Sequence, residues 1–239
     1  MKTSKKKSFK NTAATRAKNS NIQWVGYEIT SEPLVDNAFQ SLPRAIQEEL
    51  NSIFEKVQNP FYRDKAAMVA RLEELVMQYP RVPQISNYLA ASYQMTRNKK
   101  AKSRVEENYK QHPDYLFARI DYARLCLERR DLAKVKQIFK EGFDLKLIYP
   151  QRRRFHVTEF VAFNFIICIY HRLSGDWESA KLVAQTLENV APEHPVTAQV
   201  KRMTKDSLLN RLRYKFYALK NGRKHKPASS SSNSAEIQT

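Results

Sequence analysis

Between Arg71 and Pro195 the chain three times sets an apolar helical pattern, a short polar turn and a second apolar helical pattern in succession. The turns are Thr96-Arg97-Asn98-Lys99, Glu128-Arg129-Arg130-Asp131 and Ser174-Gly175-Asp176-Trp177, and small residues and prolines recur in step with them. This periodicity limits the possible folds more than any other feature. A lone helical hairpin cannot bury its own apolar face, whereas stacked hairpins share a continuous core and leave a long surface for other macromolecules.

The residues in register are specific. Leu89, Ala90 and Tyr93 carry the first helix of one pair, and Ala101, Val105 and Pro113 carry its second. In the next pair Tyr122, Ala123 and Cys126 are followed by Val135, Phe139 and Gly142. In the third, Cys168 leads to Gly175-Asp176, then to Ala180, Ala184 and Pro192. A half-repeat precedes them, with Met68, Leu72, Leu75 and Pro80 on second-helix positions. This pattern resembles the tetratricopeptide repeat (TPR) family, whose hairpins of about 34 residues place small, aromatic and proline residues at fixed positions. The sequence departs from the family in lacking tryptophan at the usual fourth position and in carrying Val135 where a small residue is expected. The distance from Pro113 to Pro192 exceeds two such repeats by about 11 residues, and the excess falls near Lys146 to Glu159. The resemblance implies an all-α, right-handed superhelix of stacked helical hairpins.

Flanking segments complete the expected organisation. Residues 1–21 read as a disordered basic tail, 22–222 as the repeat domain with its clearest repeats at 83–195, and 223–239 as a Ser-rich tail too poor in apolar residues to order itself. Residues 22–29 alternate enough apolar side chains to form an extended segment docked on the domain. Ser41 reads as an N-cap, with Pro43 in the first turn and Ile46, Leu50, Ile53, Phe54 and Val57 on one helix face. The stretch from Phe155 to Ile169 is apolar around nearly its whole circumference, which predicts a central, buried helix. A C-terminal helix from about Thr197 to Leu219 would cap it through Val200, Met203, Leu208, Leu212, Phe216 and Leu219. Phe and Ile left exposed on the central helix would instead form a partner or homodimer face.

The formal charge of +18 is concentrated at the ends: +7 in residues 1–20 and +8 in residues 201–239, leaving +3 for the rest. A phosphate-binding groove in the repeats would need clustered Lys and Arg there. Cys126 and Cys168 lie within apolar helix patterns and read as buried thiols in a reducing compartment. No apolar stretch follows the basic start or is long enough to span a bilayer, so the expected location is cytoplasmic. Four glycines offer little for a phosphate loop, and no nucleophile elbow or metal-protease helix occurs. Cys168 and His171 share a helix face without a second pair to complete a zinc site. The paired carboxylates Glu48-Glu49, Glu73-Glu74 and Glu106-Glu107 point about 100° apart as helix neighbours and read as solvated surface. No enzyme, cofactor or metal is expected.

In the resembled family the first helices line the concave face. The matching positions here include Gln84, Asn87, Tyr88, Gln94, Asp121, Arg124, Glu128 and Arg172. Some members of that family hold acidic peptide ends through Lys, Arg and Asn. Asn87 fits such a set, but Ala91 stands where a second amide is expected and no Lys falls on these positions. Tyr and Arg are frequent interface anchors, so Tyr88, Arg124 and Arg172 are the expected contacts to a partner peptide. Three basic clusters suit an anionic partner: Lys5, Lys6 and Lys7; Arg152, Arg153 and Arg154 at the opening of the third-repeat helix; and Arg211, Arg213 and Lys215 in the C-terminal part. A basic side chain is unfavourable at a helix N-terminus, so Arg152 to Arg154 should meet an acid or phosphate. The expected function is a non-catalytic protein-interaction adaptor or scaffold. The alternative is a nucleic-acid- or ribosome-associated protein that binds through its basic tails.

Overall fold

The computed structural model describes residues 22–205 apart from 25, 35, 60 and 141. Lys5, Lys6, Lys7, Arg211, Arg213, Lys215, both tails and the C-terminal helix beyond residue 205 lie outside the described residues. The chain order is β1 (Ile22–Trp24), β2 (Tyr27–Thr30), α1 (Asn37–Gln40), α2 (Arg44–Gln58), α3 (Lys65–Gln78), α4 (Pro83–Met95), α5 (Ala101–Gln111), α6 (Leu116–Glu128) and α7 (Leu132–Ile138). It continues with α8 (Leu145–Ile148), β3 (Arg154–His156), α9 (Val157–Ser174), α10 (Trp177–Val190) and α11 (Pro195–Thr204). The structure is mostly helical.

Three helix pairs, α4–α5, α6–α7 and α9–α10, pack as hairpins, and their turns share one hydrogen-bond pattern. In the first, Asn98 N–H donates to the Tyr93 carbonyl at 2.8 Å and Arg97 N–H to the Gln94 carbonyl at 3.1 Å. Asp131 to Cys126 with Arg130 to Leu127, and Asp176 to His171 with Gly175 to Arg172, repeat it. This is a Schellman-type helix end, which needs a left-handed residue just past the helix. Arg97, Arg130 and Gly175 supply it, with φ of 54°, 60° and 85°. Asp131 and Asp176 then cap the following helices by accepting from Lys134 and Ser179 N–H.

The first helices of the three pairs also touch in series, α4 with α6 and α6 with α9, and α2 packs against α4. Apolar side chains between them form two large clusters. One joins Leu50, Ile53, Leu72, Leu75, Ile85 and Leu89. The other surrounds α9, where Phe160, Val161, Phe163, Ile166, Ile167 and Cys168 are buried. The central position expected for this helix is therefore observed. It is covered by α6, α7, α10 and α11, and Val200 of α11 is fully buried against it.

Residues 139–156, between the second and third pairs, account for the excess length. They contain α8 and β3, and β3 pairs in parallel with β2, which in turn pairs antiparallel with β1. The segment 22–29 thus docks as expected, but as part of a three-stranded sheet that the periodicity did not reveal.

Two local expectations are corrected. Ser41 is not the N-cap of the first long helix: its hydroxyl donates to the Ala38 carbonyl at the end of α1, and Pro43 occupies the cap position of α2. Leu42 and Pro43 intervene, leaving Ser41 too far from the first-turn amides. Arg152 to Arg154 do not open α9 either. Arg154 lies in β3, His156 is the N-cap, and Glu159 closes a capping box with it.

Candidate functional site

Asp121, Arg124 and Glu128 are spaced i, i+3, i+7 on α6 and share one face. The Arg124 guanidinium donates to Glu128 Oε1 and Asp121 Oδ1, each at 3.4 Å, and crosses to α4 to reach Gln94 Oε1 at 2.8 Å. Burial lifts the Asp121 carboxyl above its usual range, and Arg124 partly opposes that rise. On α4 the Tyr88 ring lies 5.5 Å from Phe54 of α2, which is 44% exposed. Burial pushes the Tyr88 phenol up to about 12, so it stays protonated. Asn87, on the same helix, has a buried Oδ1 with no hydrogen-bond partner. A hollow of about 390 Å³ adjoins Arg124, and its rim carries Arg97, Lys99 and Lys102.

The structure therefore brings Asp121, Arg124 and Glu128 into one network and sets Tyr88 beside an aromatic partner on the preceding helix. Arg172 lies over the Trp177 ring, 5.8 Å from its centroid, at the turn between α9 and α10. Phe54 is the residue that sequence spacing missed. It lies on a helix face shared with core residues, and only the packing of α2 against α4 sets it next to Tyr88.

A second cleft, of about 930 Å³, opens where α4, α6 and α9 begin. Gln84 of α4, Tyr115 and Phe117 at the start of α6, and Tyr149 line it with Arg152, Arg153 and Arg154. Burial raises the Tyr115 phenol well above its usual range, and the neighbouring charges of Asp36, Glu159 and Asp121 add to the rise. Arg152 donates through both terminal nitrogens to Glu159, and its guanidinium lies 4.3 Å above the Phe155 ring. Arg154 pairs with Glu28 at 3.4 Å and with Glu32 at 3.0 Å. The acids expected for this run are therefore present for Arg152 and Arg154. The reason is β-pairing and helix capping, not relief of a helix dipole.

Among the described residues no group of three His, Cys, Asp or Glu side chains could hold a metal ion, and no helix is long and apolar enough to cross a membrane. Burial raises both thiols, to about 11 for Cys168, which leaves them protonated and poor nucleophiles. Comparison of the chain with protein-family models, with curated proteins and with solved structures finds no match in any of the three.

Proposed function

We propose that this protein is a non-catalytic interaction adaptor of the cytoplasm. Its TPR-like hairpins stack as a superhelix and hold a partner peptide along the face of the first helices. The observation that carries this reading is the Arg124 network with Gln94, Asp121 and Glu128 across α4 and α6, and the partly exposed Tyr88–Phe54 pair adds an aromatic surface between α2 and α4. Tyr and Arg are enriched among binding hot spots. The repeated turn and the side-by-side first helices support a stack, and two buried free thiols support a reducing compartment.

The test is co-purification with the full chain and with a Tyr88→Ala, Arg124→Ala variant, after nuclease treatment and across a salt series. A discrete protein partner held at high salt by the native chain and lost by the variant is the expected result. Cargo that disappears with nuclease or salt would instead support binding of nucleic acid or ribosomes by the tails, whose basic excess is the observation favouring that second reading.

A further inference from the structure

We infer that the cleft at the start of α4, α6 and α9 is a second docking point, which takes one acidic side chain of the bound peptide against Arg153. This rests on the peptide-binding reading above and names a contact at the N-terminal ends of these helices, apart from Tyr88 and Arg124.

Of the three consecutive arginines, Arg152 and Arg154 are held by acids of the chain itself. Arg153 is exposed, lines the cleft and has no ion-pair partner among the described residues. Its backbone is fixed nonetheless, because its carbonyl accepts from Glu28 N–H at 2.9 Å beside the β2–β3 ladder. A free guanidinium on a tethered backbone is suited to a ligand.

Two further groups in the cleft point to a ligand. The Tyr149 hydroxyl is buried without a hydrogen-bond partner, and burial pushes its phenol up to about 12, so it remains a donor. Gln84 is 9% exposed, and its Oε1 is buried and unpartnered while its amide nitrogen is held by Asp36. Unmet polar groups in a buried setting are uncommon and call for a partner. The N-terminus of α6 adds to them, since Tyr115 provides no side-chain cap for its first-turn amides. Arg153 and Tyr149 would donate to a carboxylate, and Gln84 Oε1 would accept a peptide N–H.

The occupant is a peptide because the cleft also carries Asp36, Asp114 and Glu159. With Arg152 held by Glu159 and Arg154 by Glu28 and Glu32, Arg153 is the single unmatched arginine of the cleft, whereas a nucleic-acid backbone needs several phosphates neutralised at once. Tyr115, Phe117 and Tyr149 give the cleft the mixed aromatic lining that suits a side chain and its flanking backbone.

The test uses the full chain and two fluorescein-labelled decapeptide pools, randomised except for Glu or Gln at the fifth position, with a labelled twelve-nucleotide oligouridine as a third probe. The Glu pool should bind roughly five- to tenfold tighter than the Gln pool. Arg153→Gln should abolish that preference, and Arg153→Lys should restore part of it. Arg153 is exposed, so the urea midpoint should not move. No preference in the native chain, a preference that survives Arg153→Gln, no binding of either pool, or an Arg153-dependent preference for oligouridine would each overturn the inference. Failure of the α4–α6 groove reads separately: Tyr88→Ala with Arg124→Ala would then leave pool affinity unchanged.

Discussion

Arg119 of α6 donates to the backbone carbonyl of Ile138, 2.5 Å away at the end of α7. Its other terminal nitrogen holds Asp114 at 3.0 Å, and its guanidinium lies 5.8 Å from the Tyr149 ring centroid. Arg119 is 5% exposed, so its charge is buried, although the Asp114 carboxylate that it meets lies at the surface. It supplies a donor to one of the carbonyls that every helix leaves open at its C-terminus, where α7 stops after two turns.

Arg119→Met should therefore lower stability by about 2–3 kcal/mol, the range for losing charge-assisted hydrogen bonds and stranding a buried acceptor. Urea unfolding of the two proteins measures it. A change within about 0.5 kcal/mol, as at ordinary surface sites, would mean that the carbonyl finds another donor.

The three equivalent turns give a backbone prediction with opposite signs. Arg130 holds φ of 60° and Gly175 holds 85°. A left-handed conformation disfavours a residue with a Cβ by about 1–2 kcal/mol, and glycine loses more chain entropy on folding by about 0.5–1 kcal/mol. Arg130→Gly should thus stabilise by up to about 1 kcal/mol, and Gly175→Ala should destabilise by a similar amount. A Cβ on Gly175 meets nothing within 4 Å, so clashes do not confuse the reading. Thermal melts that shift in the same direction for both variants would contradict this account.

Glu159 has two jobs at the start of α9. It accepts from His156 N–H at 2.9 Å in the capping box, and it pairs with Arg152. Glu159→Ala should destabilise by about 2 kcal/mol, since caps contribute about 1 kcal/mol and a charge-assisted bond a similar amount. Glu159→Gln should recover the cap but not the ion pair, and land between the two in urea midpoint.

Stability should also fall with acid in a defined window. Burial holds the His112 and His171 imidazoles below their ordinary range, partly offset by the Pro80 carbonyl and by Asp176 respectively. The unfolded chain takes up these protons near pH ~6.5, before the folded chain does. Their contribution is therefore complete above that pH and is lost as pH falls through it toward the folded values. The Glu49 and Asp176 carboxyls are shifted down, by Arg71 and by Ser179 hydrogen bonds, and act in a more acidic window. Urea midpoints at pH 7.5 and 5.5 should differ for the native chain, and His112→Gln with His171→Gln should shrink the difference. An equal fall in both would place the acid sensitivity elsewhere.

What was legible in the sequence followed the range of the signal. Helix pairs and turns were readable because a 3.6-residue apolar period, Gly175 and the N-cap acids Asp131 and Asp176 act locally. The same spacing placed Asp121, Arg124 and Glu128 on one face. The extra residues between the second and third pairs were visible only as length. Their content depends on the pairing of Glu28 with Arg154, 126 positions apart, and no local pattern encodes that pairing. Reading Arg152 to Arg154 as a helix start had the same origin: a charge argument assumed a boundary that β-pairing moved to Val157. Phe54 and Tyr149 were hidden because their neighbours come from other segments.

The parallel join of β2 to β3 also sets an order of events during synthesis. Strand β2 leaves the ribosome well before β3, whose register partners follow 126 positions later. At ~5–20 residues per second that is roughly 6–25 s. Throughout that interval the edge of β2 that meets β3 has no partner, a state prone to wrong pairing. The hairpins between them close through nearby contacts and can form first, so β2 is among the last elements to settle. The growing chain needs protection at β2 until Arg154 emerges.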